Sequence, residues 1–389
     1  MKKSSIIICL LLSCLCLMLT GCKTRPVSEN QPTDENQPTD ENRPDSASQS
    51  AKSIHPLSYA TQFQIEKVGP YTLLSIRDGG RYFIVPQGEA VPNGLPAEYT
   101  VLCQPLTNTY LMATAAMDLI GAIDAIDYIR LSGTKEEDWF VESAKQAMEN
   151  GRMLYAGKYS APDYELILSN DCSFTIANTM IYHNPQAKEK LEALGIPVLV
   201  ERSSYENHPL GRLEWIKVYG ALYGKEKEAE DFYNESLKRL EPIMEKSKTD
   251  KTVAFFYVNA NGAINVRKPT DYVSRMITLS GGNYVPDNVT TEENAMSTMN
   301  MQMEDFYIEA KDADILIYNA TIGGEIRSIG ELIAKNPLFA DFAAVRNKQV
   351  YCTTQQMFQQ STHVAGMMED FHKIIQNEPE NLIYLTHVE

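Results

Sequence analysis

The sequence predicts an α/β fold with two Rossmann-like lobes that are joined by a single long interlobe helix. Two observations predict the lobes. Strand-like and helix-like segments alternate on both sides of Gly224, and one short pattern occurs once in each half. Such alternation is typical of a mainly parallel sheet covered by helices. A third observation predicts the joining helix, because residues 209–246 form an almost continuous helical stretch with a break at Gly224.

The composition is that of an ordinary globular protein. The chain has 389 residues, 43% hydrophobic and 22% charged, and this length favours two domains over a single core. The formal net charge is −16, from 51 acidic and 35 basic residues. Because an acidic surface repels phosphate backbones, the composition argues against a nucleic-acid partner.

The first residues predict a lipoprotein signal. An apolar run at 4–19 follows two lysines and is shorter than the roughly 20 residues of a membrane span. The run ends in residues 19–21 (LTG) directly before Cys22, a pattern typical of a bacterial lipobox. We therefore expect a signal peptide at 1–21 and a lipid on the sulfur of Cys22. A plain secretory signal with an incidental cysteine is the alternative.

Residues 22–53 predict a solvated tether behind the lipidated cysteine. The pattern NQPTDE occurs at 30–35 and again at 36–41, and proline recurs without aliphatic periodicity. A segment of this composition cannot bury a core. An anchor and a tether indicate a body that works at the outer face of a membrane. The cysteines of that body are odd in number and widely spaced, which favours free thiols over disulfides.

Segment 54–223 predicts the first α/β lobe. A β-hairpin is expected within 63–85, with its turn at 78–80. Further strands are predicted at 99–103, 173–177 and 197–201, and helices at 109–119, 136–150 and 185–194.

Segment 224–248 predicts the interlobe helix. Its apolar stripe has helical spacing and consists of Ala229, Phe232, Tyr233, Leu237, Leu240 and Met244. A helix of this length spans about 35 Å, enough to cross from one lobe to the other. In the second lobe, 249–389, strands are predicted at 252–258, 314–318 and 349–352, and helices at 271–279, 303–310 and 362–376.

One internal pattern relates the two lobes. Residues 170–178 (NDCSFTIAN) are similar to residues 311–319 (KDADILIYN), and each is preceded by a short helix with a glutamate, Glu165 or Glu304. Two similar lobes joined by one helix predict a protein that binds its ligand in the cleft between them.

Common catalytic signatures are absent from the sequence. It contains no nucleophile elbow, no zinc-binding HExxH pattern, no P-loop and no dinucleotide-binding glycine pattern. The six histidines are scattered and show no metal-ligand spacing. We therefore expect a binding protein that is not an enzyme and uses no catalytic cofactor.

A series of short stretches follows the lipobox in a specific order. They are 138–140 (DWF), 155–165 (YAGKYSAPDYE), 180–183 (MIYH), 194–197 (LGIP), 201–216 (ERSSYENHPLGRLEWI), 261–262 (NG), 267–268 (RK), 271–272 (DY) and 281–284 (GGNY). In order and spacing they resemble the substrate-binding lipoproteins of ABC importers for iron complexes, haem and corrinoids, whose two lobes are joined by a rigid helical backbone.

The resemblance implies a monomer, anchored to the outer face of the bacterial cytoplasmic membrane, that captures a metal chelate or macrocycle. The ligand would be passed to an ABC permease dimer with a cytoplasmic ATPase. In such proteins a glutamate on each lobe docks onto basic residues of the permease, and Glu165 and Glu304 look equivalent. A solvated acid in the first turn of a helix is the alternative for each of them.

Ligand contacts in this class of fold come from loops at the carboxyl ends of the strands. In these loops, aromatic side chains could stack on a planar ligand: Tyr110, Tyr182, Tyr205 and Phe358. Arg267 and Lys268 could pair with an anionic siderophore or with haem propionates, although a structural salt bridge is the alternative for Arg267. The other ligand-binding candidates are Tyr159, Asn178, Met180, His183, His208, Asn259 and Met357.

Haem would need an axial ligand, for which His183, Met180 and His208 are the candidates. Each histidine could instead be structural, and His208 could help to open a helix before Pro209. Four methionines, Met296, Met299, Met301 and Met303, alternate with polar residues, and packing is favoured over a soft-metal site there.

Three functions stay open at this point. The leading one is the importer component, with a siderophore, haem or a cobamide as its cargo. The second is a surface lipoprotein enzyme or chelatase that acts on a tetrapyrrole or metal chelate. The third is a signalling or storage binder that has no permease.

Overall fold

The described part of the chain comprises residues 52–54, 57–77, 79–246, 248–288, 297–355, 357 and 359–389 of a computed structural model. The predicted signal peptide, Cys22 and nearly all of the predicted tether lie outside the described residues. Those described belong to one compact unit, Ser50–Glu389. No helix in this part combines the length and the hydropathy that a membrane crossing requires.

The chain first forms a five-stranded sheet. Its strands are β1 (Lys52–Ile54), β2 (Phe63–Val68), β3 (Tyr71–Ile76), β4 (Arg81–Val85) and β5 (Tyr99–Cys103), in chain order across the sheet. All neighbours are antiparallel except β4 and β5. The predicted hairpin is β3–β4, and strand β1 occupies the end of the segment predicted as tether.

A parallel sheet forms the centre of the N-terminal lobe. Its strands, in spatial order, are β12 (Val198–Glu201), β11 (Phe174–Asn178), β6 (Thr109–Leu111), β7 (Ile129–Ser132) and β8 (Leu154–Tyr155). A small hairpin, β9 (Gly157–Lys158) and β10 (Ala161–Pro162), follows β8. The helix predicted at 109–119 is wrong at its start, because Thr109–Leu111 is the fully buried central strand.

Four helices cover this lobe: α1 (Thr114–Ala122), α2 (Glu142–Glu149), α3 (Tyr164–Ser169) and α4 (Pro185–Ala193). The helix predicted at 136–150 is interrupted. Only a 3-10 turn forms at Glu136–Asp138, and α2 begins after the buried Trp139, whose indole N–H donates to Ser132 Oγ at 3.3 Å. Burial of one large side chain therefore outweighs helical periodicity here.

Three helices lead from one lobe to the other: α5 (Pro209–Glu214), α6 (Ile216–Tyr223) and α7 (Glu226–Glu245). Gly224, with a φ of 66°, ends α6 at the predicted break. Helix α7 spans about 30 Å. Its first half contributes Tyr233 to the N-lobe core and its second half contributes Leu240 to the C-lobe core, so it is seated in both lobes.

A mixed sheet forms the C-terminal lobe. Its strands are β13 (Thr252–Val258), β14 (Ile264–Arg267), β15 (Asn283–Val285), β16 (Thr298–Met301), β17 (Ile315–Tyr318), β18 (Val350–Thr353) and β19 (Leu385–His387). The spatial order is β16-β14-β13-β17-β18-β19, and β15 also pairs with β13. The helices are α8 (Tyr272–Leu279), α9 (Met303–Ala310), α10 (Ala320–Gly323), α11 (Ile329–Lys335), α12 (Ala343–Arg346) and α13 (Val364–Ile375).

Residues 57–62, the N-terminal strap, cross the boundary between the lobes. Two buried carboxylates hold them. Glu206 accepts hydrogen bonds from the backbone N–H groups of residues 61 and 62, and Glu214 accepts them from residues 58, 59 and 60. Within the strap, Tyr59 packs against both lobe cores. The stretch 201–216 therefore holds the strap in place through these two carboxylates.

Candidate functional site

The two lobes meet through a short segment that follows β18. Residues 359–362, the latch, bind the N-terminal lobe through side-chain hydrogen bonds. The pairs are Phe140 N–H to Gln359 Oε1 (2.9 Å), Gln359 Nε2 to Asp138 O (2.8 Å), Ser361 Oγ to Ala115 O (2.8 Å) and Thr362 N–H to Asp118 Oδ2 (2.7 Å). The contact that the latch makes between the lobes therefore consists of polar groups.

A narrow recess lies beside the latch. Its walls come from α5, α8, α13 and the segment after β18, and consist of Arg212, Tyr272, Met276, Met357, Gln360, Ser361, Val364 and Met367. The recess has a volume of about 20 Å³, little more than a single water molecule needs. Three methionines among the walls make its surface apolar and adaptable.

Two guanidinium groups lie near the ring of Tyr272, and one of them, that of Arg212, lines the recess. The Cζ atom of Arg212 lies 3.8 Å from the centroid of the tyrosine ring, and that of Arg267 lies 6.0 Å from it. Cations in these positions are attracted by the ring face. The cluster brings together α5, which lies between the lobes, with β14 and α8 of the C-terminal lobe.

Asp271 sits in the same cluster. Its Oδ2 lies 3.8 Å from Nη1 of Arg267, and its Oδ1 accepts the N–H of Val273 at the start of α8. Burial raises the pKa of Asp271, while the charges of Arg267 and Arg212 favour its ionised form. The salt bridge expected as the alternative for Arg267 is thus present.

The loop after β12 adds another cation that lies on an aromatic ring. Arg202 Cζ lies 4.4 Å from the centroid of Tyr205. Next to it, Glu201 is fully buried and accepts the N–H of Ser203 at 2.7 Å. Burial raises the pKa of Glu201, against the effect of that hydrogen bond.

Tyr110 is not available to a ligand, contrary to our expectation. It is completely buried in β6, and its hydroxyl donates to the backbone oxygens of Gly157 (2.5 Å) and Ala156 (3.2 Å). Because the segment is a central strand, the ring packs in the lobe core and does not reach the cleft.

His208 has the structural position that the sequence offered as its alternative. Its Nδ1 accepts the N–H of Leu210 at 3.2 Å, so it caps the start of α5. Its ring stacks on Tyr59 with centroids 4.3 Å apart. Burial, assisted by the charge of Arg275, lowers the pKa of His208 to about 4. The imidazole is therefore neutral at pH 7. Because its Nδ1 accepts a backbone N–H, the proton lies on Nε2, and neither nitrogen offers a free lone pair for axial ligation.

The turn after β11 remains open. Met180, Tyr182 and His183 are exposed on it, and Asn178 caps it by accepting the N–H of Met180 at 3.1 Å. Of the three axial candidates, Met180 and His183 thus keep free access to solvent.

The other candidates occupy scattered positions. Asn259 shapes a turn by accepting the N–H groups of residues 261 and 263. Tyr159 and Lys268 are half-buried, and Met357 is buried in the recess. Phe358 and Met296 lie outside the described residues. The remaining members of the methionine group, Met299, Met301 and Met303, pack on the C-lobe core, as the packing interpretation requires.

The two glutamates have matching environments. Glu165 is exposed in the first turn of α3, and Glu304 is exposed in the first turn of α9. Helix α3 leads into β11 and α9 leads into β17, and each of these strands is followed by an asparagine cap, Asn178 or Asn319, with an N–H···Oδ1 distance of 3.1 Å. The internal pattern is thus a repeated helix–strand–cap unit.

Arg212 and Tyr272 were missed as site residues. Both fall in stretches that carried the family resemblance, 201–216 and 271–272. An arginine three residues after a helix-opening proline has no distinctive signal of its own. Their contact joins segments 60 residues apart, which no local pattern shows.

Cysteine and metal chemistry are limited in the described part. Cys172 and Cys352 are buried free thiols and Cys103 is an exposed one. Burial raises the pKa of Cys172 and of Cys352. Among the described residues, no group of three or more His, Cys, Asp or Glu side chains is arranged to hold a metal ion.

Comparison with solved structures identifies the same fold elsewhere. A periplasmic heme binding protein from Pseudomonas aeruginosa matches with a TM-score of 0.57 at 14% identity, over 73% of this chain and 98% of that one. A periplasmic heme binding protein of Vibrio cholerae gives 0.56 at 16% identity, over 68% and 97%. The periplasmic vitamin B12 binding protein of Vibrio cholerae gives 0.50 at 16% identity, over 71% and 99%.

Sequence relatives occur in the archaeon Methanocaldococcus jannaschii. An uncharacterized lipoprotein is 24% identical over 293 residues, 72% of this chain and 68% of the relative. An uncharacterized protein is 32% identical over 216 residues, 53% of this chain and 62% of the relative. The family model described as "Periplasmic binding protein" matches residues 133–357, more than half of the chain. The chain, with its two lobes on a helical backbone, therefore belongs to the periplasmic binding protein family.

Proposed function

We propose that this protein is the lipid-anchored, extracytoplasmic binding component of an ABC importer and captures an anionic metal complex between its lobes. The cargo is a ferric siderophore or haem, with a corrinoid as the further member of the class. Membership of a solute-binding family supports the binding role. The fold shared with heme and vitamin B12 binding proteins supports a large chelate as cargo.

The position of Arg212 is the observation that supports an anionic ligand. It lies over the Tyr272 ring at the recess, where its charge also favours the ionised forms of the buried Glu201 and Asp271. A planar guanidinium held by an aromatic ring is preorganised for a carboxylate or propionate. Arg267 adds positive charge 6.0 Å from the centroid of the same ring, where Asp271 partly balances it.

Loading requires the lobes to separate. The recess of about 20 Å³ cannot take a chelate of tens of atoms. The polar latch is the part that opens, whereas α7, seated in both cores, keeps the lobes at a fixed spacing along its axis. We therefore infer a small rotation around the helical crossing and no large hinge motion.

Delivery uses the two exposed glutamates. Glu165 and Glu304 lie at equivalent positions of the repeated unit, one on each lobe. A permease that contacts both carboxylates senses the relative position of the lobes. Exposed charges of this kind steer docking more than they add affinity.

Titration of the full-length protein in detergent tests the binding role. Haem, cyanocobalamin, a ferric hydroxamate and a ferric catecholate are added separately, with visible absorption and tryptophan fluorescence as readouts. We expect one class to bind one-to-one at micromolar concentration or tighter, and Arg212→Gln to weaken that binding about tenfold or more, as for a lost charge-assisted hydrogen bond.

Arg239→Gln is the matched control. Arg239 is an exposed arginine on α7 that pairs with Glu369, and neither residue lines the recess, so its loss should leave ligand binding unchanged. If the wild type and Arg212→Gln bind the ligand with equal affinity, Arg212 does not contact the ligand. Failure of every chelate to bind would count against the whole ligand class.

A further inference from the structure

Each helix that carries a docking glutamate also exposes a large aliphatic side chain. On α3, Leu168 follows Glu165 by three residues and is 47% exposed; on α9, Ile308 follows Glu304 by four residues and is 70% exposed. Spacings of three and four place both members of each pair on one helix face. We call Glu165 with Leu168 the N-lobe patch, and Glu304 with Ile308 the C-lobe patch.

A further exposed apolar side chain follows the next strand in each lobe. Tyr182 is 44% exposed after β11, and Ile322 is 66% exposed after β17. Because α3 runs back along a parallel sheet, its first turn lies at the carboxyl edge of that sheet, where β11 ends. A hydrogen bond from Asn184 Nδ2 to Ser160 O, at 3.1 Å, ties this turn to the hairpin that enters α3.

The charge of the two patches has one sign. The sequences of α3 (YELILS) and α9 (MEDFYIEA) contain acids and no lysine or arginine. Neither Glu165 nor Glu304 forms an ion pair with a described residue. A partner for these faces must therefore present cations beside apolar surface.

Single exposed apolar side chains are common on protein surfaces, and Ile383 is one of them. The side chains of the two patches differ from it in their arrangement beside a glutamate. Here they recur at equivalent places in the two lobes. A repeated patch fits a partner with two like subunits, each of which meets one lobe. Apolar side chains beside a charge are also the usual source of affinity in an interface, whereas rim charges set the on-rate.

We propose that Leu168 and Ile308 are the affinity-determining contacts of the complex with the permease dimer. Each inserts into an apolar pocket next to the cation that pairs with Glu165 or Glu304. This inference rests on the proposed importer function and adds which residues hold the complex together.

Site-specific photo-crosslinking in cells that make the protein natively tests it. Leu168, Ile308 and, as a control, Ile383 are each replaced by p-benzoylphenylalanine. Ile383 is equally exposed, at 67%, but lies outside both patches. We expect adducts at positions 168 and 308 with the same ABC permease, identified by mass spectrometry, and none at 383.

The permease so identified is then reconstituted with its ATPase, and its ATP hydrolysis is measured against added binding protein. Leu168→Ser and Ile308→Ser should each raise the half-stimulating concentration about tenfold, with unchanged melting temperatures, and Ile383→Ser should match the wild type. Wild-type behaviour of both patch variants would overturn the inference and leave the importer function standing. Adducts with a protein that is not a permease, together with no ATPase response, would overturn both.

Discussion

The carboxylate of Glu214 holds the N-terminal strap on the body, and its removal should destabilise the protein strongly. The side chain is fully buried. Oε1 accepts hydrogen bonds from the N–H of Ser58 (3.0 Å) and from Nζ of Lys217 (3.2 Å), and Oε2 accepts them from the N–H groups of Tyr59 and Ala60 (both 2.9 Å). Every one of its partners is a donor.

Glu214→Gln keeps the shape and removes the charge. The glutamine amide can keep the hydrogen bonds to its one oxygen. Its NH₂ group then replaces the second carboxylate oxygen and faces the donors that this oxygen had bound. Hydrogen bonds to charged groups contribute about 1.5–3 kcal/mol each, and breaking a buried ion pair costs about 3–5 kcal/mol. These losses overlap, so we expect the free energy of unfolding to fall by about 3–5 kcal/mol.

Urea unfolding at pH 7, followed by the fluorescence of Trp139 and Trp215, measures this change. Glu192→Gln is the matched control, because that carboxylate pairs with Lys188 on the surface of α4 and should cost less than about 0.5 kcal/mol. If Glu214→Gln costs no more than Glu192→Gln, the strap is not held by this carboxylate and the reasoning fails.

Four further predictions concern other parts of the chain. Burial lowers the pKa of His208 from 6.5 to about 4, so folding excludes a proton that the unfolded chain binds, and wild-type stability should fall as the pH drops from about 6.5 to about 4. His208→Asn keeps a capping group but has no imidazole to titrate. If the urea midpoints of the wild type and the variant change in parallel between pH 7 and 4.5, this prediction is refuted. Asp118→Ala removes the acceptor of the Thr362 N–H and should speed hydrogen exchange of that amide about tenfold; an unchanged rate would contradict the latch. Gly211→Ala places a methyl group 2.9 Å from a backbone oxygen of the strap and should lower the melting temperature by several degrees, which thermal unfolding checks. Cys22→Ser should move the protein from the membrane fraction to the soluble fraction on cell fractionation, and retention in the membrane would argue against a lipid anchor.

Long periodic segments were predictable from the sequence. Helix α7 shows its apolar stripe plainly, and the structure places that stripe in both cores. The repeat at 170–178 and 311–319 predicted β11 and β17, because a short apolar strand between a helix and an asparagine cap has a fixed pattern in both lobes. The two-lobe architecture therefore followed from local chemistry.

Elements fixed by distant contacts were not predictable. The segment at Thr109–Leu111 is buried on both faces, so it lacks the alternation that distinguishes a strand from a helix. Trp139 interrupts a helical pattern because its indole is bonded in the lobe interior. The pairing of Arg212 with Tyr272 depends on how α5 meets α8, and neither helix carries that information alone.

The position of the strap bears on how force reaches the lobes. Residues 57–62 enter the body where α5 crosses between the lobes, and Tyr59 touches both cores. A pull on the chain from the N-terminal side reaches β1 before it reaches the strap, because β1 is paired with β2 at the edge of the five-stranded sheet. The hydrogen bonds between β1 and β2 therefore take up the load first, and the contacts of Tyr59 with both cores are shielded from it.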